Sequence, residues 1–350
     1  MRSSYKQNDV TLLLTDLTGC MSPMRTEERE KRIQSGVNYS EMLPAEDAPR
    51  SEYVKLYTEL VALMADPCAR ALATLAEQIH EYKGDGIVLV SLARAGTPIG
   101  ILLKRFLKFK YNIDVPHYSI SIVRGKGIDV NALQFIKTHN DQHDIVFVDG
   151  WTGKGAIARE LRDALKDFPD IPAQLAVLAD PAAVADFYGT TEDLLIPSCC
   201  LNSVVSGLIS RTIVNSAFLG PNDFHGAAYY EDLSSYDMTY KFIDAVVSKF
   251  SDDCTVKSEP DRSMSGIEEA LRIGRKYGIS DVNFVKPGIG ETTRVLLRRV
   301  PNLILIDSRY KDSFDVQHIY ELAKQKSVPI KYVELRNYKA VGIIKNLADA

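Results

Sequence analysis

Between Gly86 and Leu178 the chain repeats one pattern: a short apolar run, a turn of small and polar residues, then a stretch with apolar positions three and four apart. Gly86-Ile-Val-Leu-Val90, Tyr118-Ser-Ile-Ser-Ile-Val123, Ile145-Val-Phe-Val148 and Gln174-Leu-Ala-Val-Leu178 read as strands. Residues 97–109, 130–139 and 156–168 read as helices. Continuous apolar runs of this length belong to strands buried on both faces. Alternating with helices, they predict an α/β fold, a parallel sheet with helices on both faces. Upstream, residues 51–83 read as helical, with Asp66-Pro67 as the cap and first-turn proline of a second helix.

A polar stretch from Ser248 onward, with Pro260, interrupts the pattern. It is the expected linker, residues 251–262, between a unit over 1–250 and a smaller α/β unit over 263–350. Residues 1–50 are loop-rich and are expected to form an extension or hood. In the second unit, helices are expected over 266–277, 291–299 and 316–325, and strands over 282–285, 303–306 and 330–333. Charge divides the same way. Residues 263–350 hold 15 Lys+Arg and 10 Asp+Glu, a net of +5, and the remainder is −9 within the overall −4. A basic second unit suggests nucleic acid as its partner; scatter in charge between small domains is the competing reading.

Apolar residues make up 45% of the chain and charged residues 25%, the balance of a soluble protein. No run is long enough to span a membrane, and the N-terminus lacks the apolar core of a signal peptide. Five cysteines, an odd number, do not make a disulfide framework. A cytoplasmic location is the expectation, with no membrane partner and with a homodimer as the expected assembly.

The turn after Val148 carries chemistry. Asp149-Gly-Trp-Thr-Gly-Lys-Gly155 places one acid and three glycines where a sheet of this kind binds ligands, beyond a strand's carboxyl end. Amides of a glycine-rich turn that opens a helix are unpaired, so Thr152, Gly153, Lys154 and Gly155 are candidates to hold a phosphate. Asp149, repelled by a phosphate, is placed to accept from vicinal hydroxyls, with Gly150 beside it. A Walker loop is excluded, because Val148 and Gly155 stand where glycine and Ser/Thr are needed. A capping turn without ligand is the competing reading. Arg94-Ala95-Gly96 ends another strand and fits a second anion such as pyrophosphate. Arg124-Gly-Lys126 forms a basic loop able to close over a charged substrate.

Together these stretches resemble a type I phosphoribosyltransferase, although that family usually has two adjacent acids where this chain has Asp149-Gly150. The resemblance implies phosphoribosyl pyrophosphate as substrate and Mg²⁺ held largely by substrate oxygens, with no metal ligand from protein side chains. It also implies transfer of a phosphoribosyl group to a base or nucleotide-like acceptor, with catalytic roles for Asp149, Arg124 and Lys126. A wider resemblance covers nearly the whole chain, through SGVNYSEMLP, LVSLARAGTPIG, HYSISIVRGKGID, FVDGWTGKGAI and CCLNSVVSGLISRT. These motifs resemble a bacterial family linked to tellurite-resistance and stress operons. Its members are described as phosphoribosyltransferases, also labelled the cysteine protease StiP family, and often carry a Pelota-like RNA-binding domain. Lys286-Pro-Gly288-Ile-Gly290-Glu291-Thr-Thr-Arg294 resembles the turn by which kink-turn-binding proteins grip RNA, with Arg298 and Arg299 nearby.

Two other readings compete with the transferase. One is an RNA-binding sensor whose sheet unit binds a ribose phosphate without turnover. The other is a cysteine hydrolase, with Cys200 of Cys199-Cys200 as nucleophile and a histidine as base.

Overall fold

The computed structural model describes residues 1–252 and 264–347. The expected linker, apart from its first two residues, lies outside them, as does Cys254.

The larger unit is built on six parallel strands: β1 (Thr11–Leu12), β2 (Val88–Leu92), β3 (His117–Ile120), β4 (Ile145–Trp151), β5 (Leu175–Ala179) and β6 (Phe187–Thr190). Their spatial order is β1-β3-β2-β4-β5-β6. Alternation of side chains along β4 makes two cores. Val146 and Val148 join a cluster with Leu72 and Leu75 of α2 (Ser51–Lys83) and Ile99 and Phe106 of α3 (Gly96–Tyr111). Ile145 and Phe147 point the other way, onto Leu133 and Ile136 of α4 (Val130–His139) and Leu161 of α5 (Ala156–Ala164). The α/β class read from sequence is the architecture found.

The pair of helices expected over 51–83 is one helix, with Pro67 inside it. Proline removes one helical hydrogen bond, but Leu60, Cys68, Leu72, Leu75 and Ile79 are all fully buried along α2, and that packing carries the helix past it. The strand expected over 118–123 divides. Ile122–Val123 turns away from the sheet and pairs antiparallel with Gly127–Ile128, so Arg124 to Lys126 is the tip of a short ribbon. That tip is pinned rather than free: the amides of Gly125 and Gly127 donate to the Glu160 carboxylate at 2.9 and 3.0 Å.

The C-terminal unit is a four-stranded sheet of β7 (Val285–Pro287), β8 (Pro301–Asp307), β9 (Ile330–Val333) and β10 (Ala340–Ile344), in the order β7-β10-β8-β9. Only β8 and β9 run parallel. After α6 (Thr239–Val247) of the larger unit, helices α7 (Gly266–Lys276), α8 (Ile289–Arg298) and α9 (Gln317–Gln325) accompany it. Ser265 and Glu268 form a reciprocal capping box at the start of α7.

The two units share a core. Ile289, Leu296, Ile304 and Ile319 belong to the same apolar cluster as Val146, Leu72 and Leu195. Buried Asp193, in the loop after β6, accepts from the amide of Ile289 at 3.0 Å and from that of Lys339 at 2.9 Å. The Tyr338 hydroxyl donates to the Gly153 carbonyl at 2.6 Å. Residues 1–50 also reach across. From α1 (Thr26–Gln34), Glu30 pairs with Arg299, and the Gln34 amide donates to the Lys345 carbonyl at 3.0 Å. Among the described residues no helix is long and apolar enough to cross a membrane.

Candidate functional site

Two groups of residues that lie in different units of the sequence line one cavity of about 590 Å³. From the sheet unit come Arg124, Asp149, Thr152, Gly153, Lys154, Gly155 and Arg211; from the C-terminal unit come Lys286, Glu291, Arg294, Arg298 and Arg299. The geometry follows from the docking of α8. Gly290 lies so close to Trp151 that a Cβ there would drive into the indole. This contact seats the Arg294 guanidinium over the Trp151 ring, 4.3 Å from its centroid, with Glu291 paired to it at 3.0 Å. Gly288, with φ of +97°, supplies the left-handed turn that starts the helix.

Asp149 sits at the floor. Burial pushes its carboxyl up to about 6, against the pull of Arg294 and of the Gly150 amide that donates to it at 2.7 Å. Burial alone would raise Glu291 as well, but Arg294 and Lys286 outweigh it and hold its carboxyl below the usual range.

Several residues expected to grip a phosphate are engaged elsewhere. Thr152 donates its amide to the Ala179 carbonyl at 3.0 Å, continuing the sheet, and its hydroxyl to Asp180 at 2.5 Å. The Lys154 ammonium points across the interface to the carbonyls of Val282 and Val285, the latter at 3.0 Å. It ties the units together. Arg94 is buried, donating to the Ile209 carbonyl at 2.7 Å and paired with Glu46 at 3.4 Å. Gly96 has no room for a ligand, since its Cα faces the Val148 carbonyl. Ala95 and Gly150 pack on each other, a Cβ on Gly150 standing 3.3 Å from the Ala95 carbonyl oxygen. Lys126 pairs with Glu41 at 3.3 Å, outside the cavity lining.

The cations inside the cavity are uneasy. Burial first, then Arg29 and other arginines, pushes Arg211 down to about 9. Burial, with help from Arg124 and Arg299, takes Lys286 to about 8, and burial with Lys286 and Arg124 takes Lys154 to about 7. The unfolded chain keeps protons on both amines up to an ordinary lysine value. The folded chain has already released them above about 7 and 8, so folding gains stability as pH rises. Urea unfolding at pH 7 and pH 9.5 is expected to show a gain of several kcal/mol at the higher pH, at ~1.4 kcal/mol for each pKa unit lost within that window, and a smaller gain in Lys154→Met. A flat profile in the parent protein would contradict these environments.

Residues 1–50 contribute partners that sequence reading missed. The Tyr39 ring lies under the Arg211 guanidinium at 4.9 Å. Arg29 is buried, and its Nε and one Nη have no hydrogen-bond partner. Residues 27–32 alternate acid and base like a solvated helix, so no local signal marks Arg29 and Glu30 as buried.

The thiols form a separate group. Cys199 and Cys200 are buried with their sulfurs 3.9 Å apart, and burial together with Cys199 pushes the Cys200 thiol well up. Cys68 is buried too, and Cys20 is exposed. Among the described residues no histidine hydrogen-bonds to a thiol. His117 holds Ser91 and the Asp9 carbonyl, and His318 holds Thr293, both inside the core. The loop carrying the two cysteines is nonetheless tied to the cavity: Arg298 of α8 donates to the side-chain oxygen of Asn202. No group of three or more His, Cys, Asp or Glu among the described residues is placed to hold a metal.

Comparison with known proteins supplies the family. A model described as "Tellurite-like stress resistance cysteine protease StiP" matches residues 3–247, and one described as "PELOTA RNA binding domain" matches residues 264–346. "Cysteine protease StiP" of Acinetobacter baylyi (strain ATCC 33305 / BD413 / ADP1) is 33% identical over 366 residues, covering 98% of this chain and 94% of that protein. These findings overturn the expected phosphoribosyltransferase activity: the family and the relative are named for cysteine proteolysis, not for pentosyl transfer from phosphoribosyl pyrophosphate. The Thr152 amide and the Arg94 guanidinium, both expected to hold phosphates, are committed to the fold, on the Ala179 carbonyl and on the Ile209 carbonyl with Glu46. The chain belongs to the StiP family through residues 3–247 and carries a Pelota RNA-binding domain behind them.

Proposed function

We propose that this protein is a stress-resistance peptidase that uses a cysteine thiol and works in contact with RNA. One observation carries the reading: Arg298, on helix α8 of the Pelota domain, holds Asn202, two residues beyond the Cys199-Cys200 pair. The RNA-binding unit thus grips the loop that carries the candidate nucleophile. A thiol attacks a peptide carbonyl only as its thiolate, and Cys200 in its present surroundings stays protonated. This is a resting state. RNA phosphates compete for the Arg298 guanidinium, Asn202 is released, and the loop opens Cys200 to water and substrate. The thiolate then adds to the scissile carbonyl, the amine leaves with a proton, and water hydrolyses the thioester.

The test reads Cys200 alkylation by iodoacetamide, peptide by peptide in a mass spectrometer, with and without single-stranded RNA. Labelling of Cys200 is expected to rise at least tenfold with RNA, and Cys200→Ala to abolish hydrolysis of an unfolded protein substrate, while Cys20→Ser keeps it. Hydrolysis that survives Cys200→Ala removes Cys200 as nucleophile. Alkylation indifferent to RNA removes the coupling.

A further inference from the structure

The cavity between the two units holds more positive charge than its walls neutralise. Three of the arginines around it have carboxylate partners: Arg294 pairs with Glu291, Arg299 with Glu30, and Arg94 with Glu46. Arg124, Arg211, Lys286 and Arg298 have no ion pair among the described residues. Arg124 donates to Asn283 and Arg298 to Asn202, both neutral amides. Partly buried cations cost several kcal/mol each when no counter-charge offsets their lost hydration. Four of them face one space of about 590 Å³, and the acids of its lining without an ion pair among the described residues, Asp149 and Asp281, are fewer than these cations, which favours an anion from outside.

We infer that this cavity binds an oligophosphate, the chain of phosphoryl groups that ends a nucleoside triphosphate or a 5′-triphosphorylated RNA strand. Three features select that chemistry. The unpaired cations come from both units, Arg124 and Arg211 from the sheet unit and Lys286 and Arg298 from the C-terminal unit. A single phosphate, with its charge of about −2, offsets about half of the four unpaired charges; a chain of phosphates carries enough to offset them all. Guanidinium forks match phosphoryl oxygens in pairs, and a phosphate chain offers such oxygens to all three arginines at once. Two of the lining rings are already used, since Trp151 carries Arg294 and Tyr39 carries Arg211 on their faces. They hold the guanidinium groups in place, where phosphoryl oxygens can meet them. The volume falls within the roughly 300–1,000 Å³ of small-ligand sites. It admits a nucleotide or a strand end, and not a duplex.

The inference draws on the RNA reading only for one of its two ligand sources, and its test does not depend on proteolysis. Trp151 is the sole tryptophan of the chain and lines the cavity, so its fluorescence reports occupancy directly. The full-length protein is titrated with orthophosphate, inorganic tripolyphosphate, a nucleoside triphosphate, and one single-stranded RNA bearing either a 5′-triphosphate or a 5′-hydroxyl. Each series is run with and without Mg²⁺, which would arrive on phosphate oxygens. Tripolyphosphate is expected to give a saturable change at least tenfold tighter than orthophosphate. Arg211→Gln and Arg298→Gln are each expected to weaken it at least tenfold with an unaltered circular dichroism spectrum, and Arg298→Lys by less. Lys331→Gln, on the exposed strand β9, is expected to bind as the parent does. Should Arg298→Gln not fold, Arg124→Gln takes its place, because the ribbon it sits on is pinned through backbone amides. Preference for the triphosphorylated RNA over the free nucleotide identifies the strand end as the source, and the reverse identifies the nucleotide; both support the site. Absence of a saturable response, equal affinity for orthophosphate, or binding unmoved in both arginine variants overturns it. If 5′-hydroxyl RNA binds while tripolyphosphate does not, the inference falls and the RNA reading stands.

Discussion

Asp193→Ala is expected to cost about 3 kcal/mol of stability and to loosen the C-terminal unit from the sheet unit. Asp193 belongs to the sheet unit but serves the other one, accepting from the amide of Ile289 at the start of α8 and from the Lys339 amide. Its carboxylate therefore satisfies an otherwise unpaired helix-start donor and faces the positive end of the helix dipole. Burial pushes its carboxyl up to about 6 against those two amides, so the group is held under tension between desolvation and hydrogen bonding. Deletion leaves two buried amides unsatisfied at roughly 1–3 kcal/mol each, less whatever the desolvated carboxylate cost. Asp193→Asn keeps an acceptor and is expected to lose about 1 kcal/mol. Urea unfolding gives the energies, and hydrogen exchange at the Ile289 and Lys339 amides locates them. Unchanged protection at both amides in the alanine variant would refute the role. The Trp151 contact with α8 should weaken in parallel, with a shift of the tryptophan emission.

Gly96→Ala is expected to be worse still, at 3 kcal/mol or more, or to fail to fold. A Cβ at Gly96 would run into the Val148 carbonyl, which is backbone in the middle of the sheet and cannot step aside. Gly150→Ala is the control. Its Cβ meets the Ala95 carbonyl oxygen at 3.3 Å, a contact that a small shift relieves, for less than about 1 kcal/mol. Both glycines read from sequence as ligand-binding. The pair separates packing from binding: a Gly96→Ala protein that melts with the parent would return that residue to the ligand site.

The legible parts of this protein were those where one residue's neighbours in sequence are also its neighbours in space. Four apolar residues at 145–148 must be a buried strand, and the glycine turn that follows must lie at a strand end. Asp149 and Arg124 were read that way, as were Lys286 on β7 and Glu291 and Arg294 on α8, and all five line the cavity. Thr152 was located correctly along the chain, but its amide, expected for a phosphate, continues the sheet to the Ala179 carbonyl. The Lys154 ammonium reaches carbonyls of the docked domain, a partner that no local signal names. The single helix through Pro67 was missed for the same kind of reason, since the packing of α2 against its surroundings, not propensity, carries it.

By itself the sequence determined the alternation of strands and helices, the two-unit order and the residues at the strand ends, because periodicity and turn chemistry act over a few residues. Only the tertiary structure decided that the two candidate sites are one cavity, that Arg298 holds the loop of Cys199 and Cys200, and that Arg29 and Glu30 of an ordinary-looking helix lie buried against the second unit. Burial and charge neutralisation depend on which surfaces meet, and those surfaces come from segments more than a hundred residues apart, as Glu30 and Arg299 do.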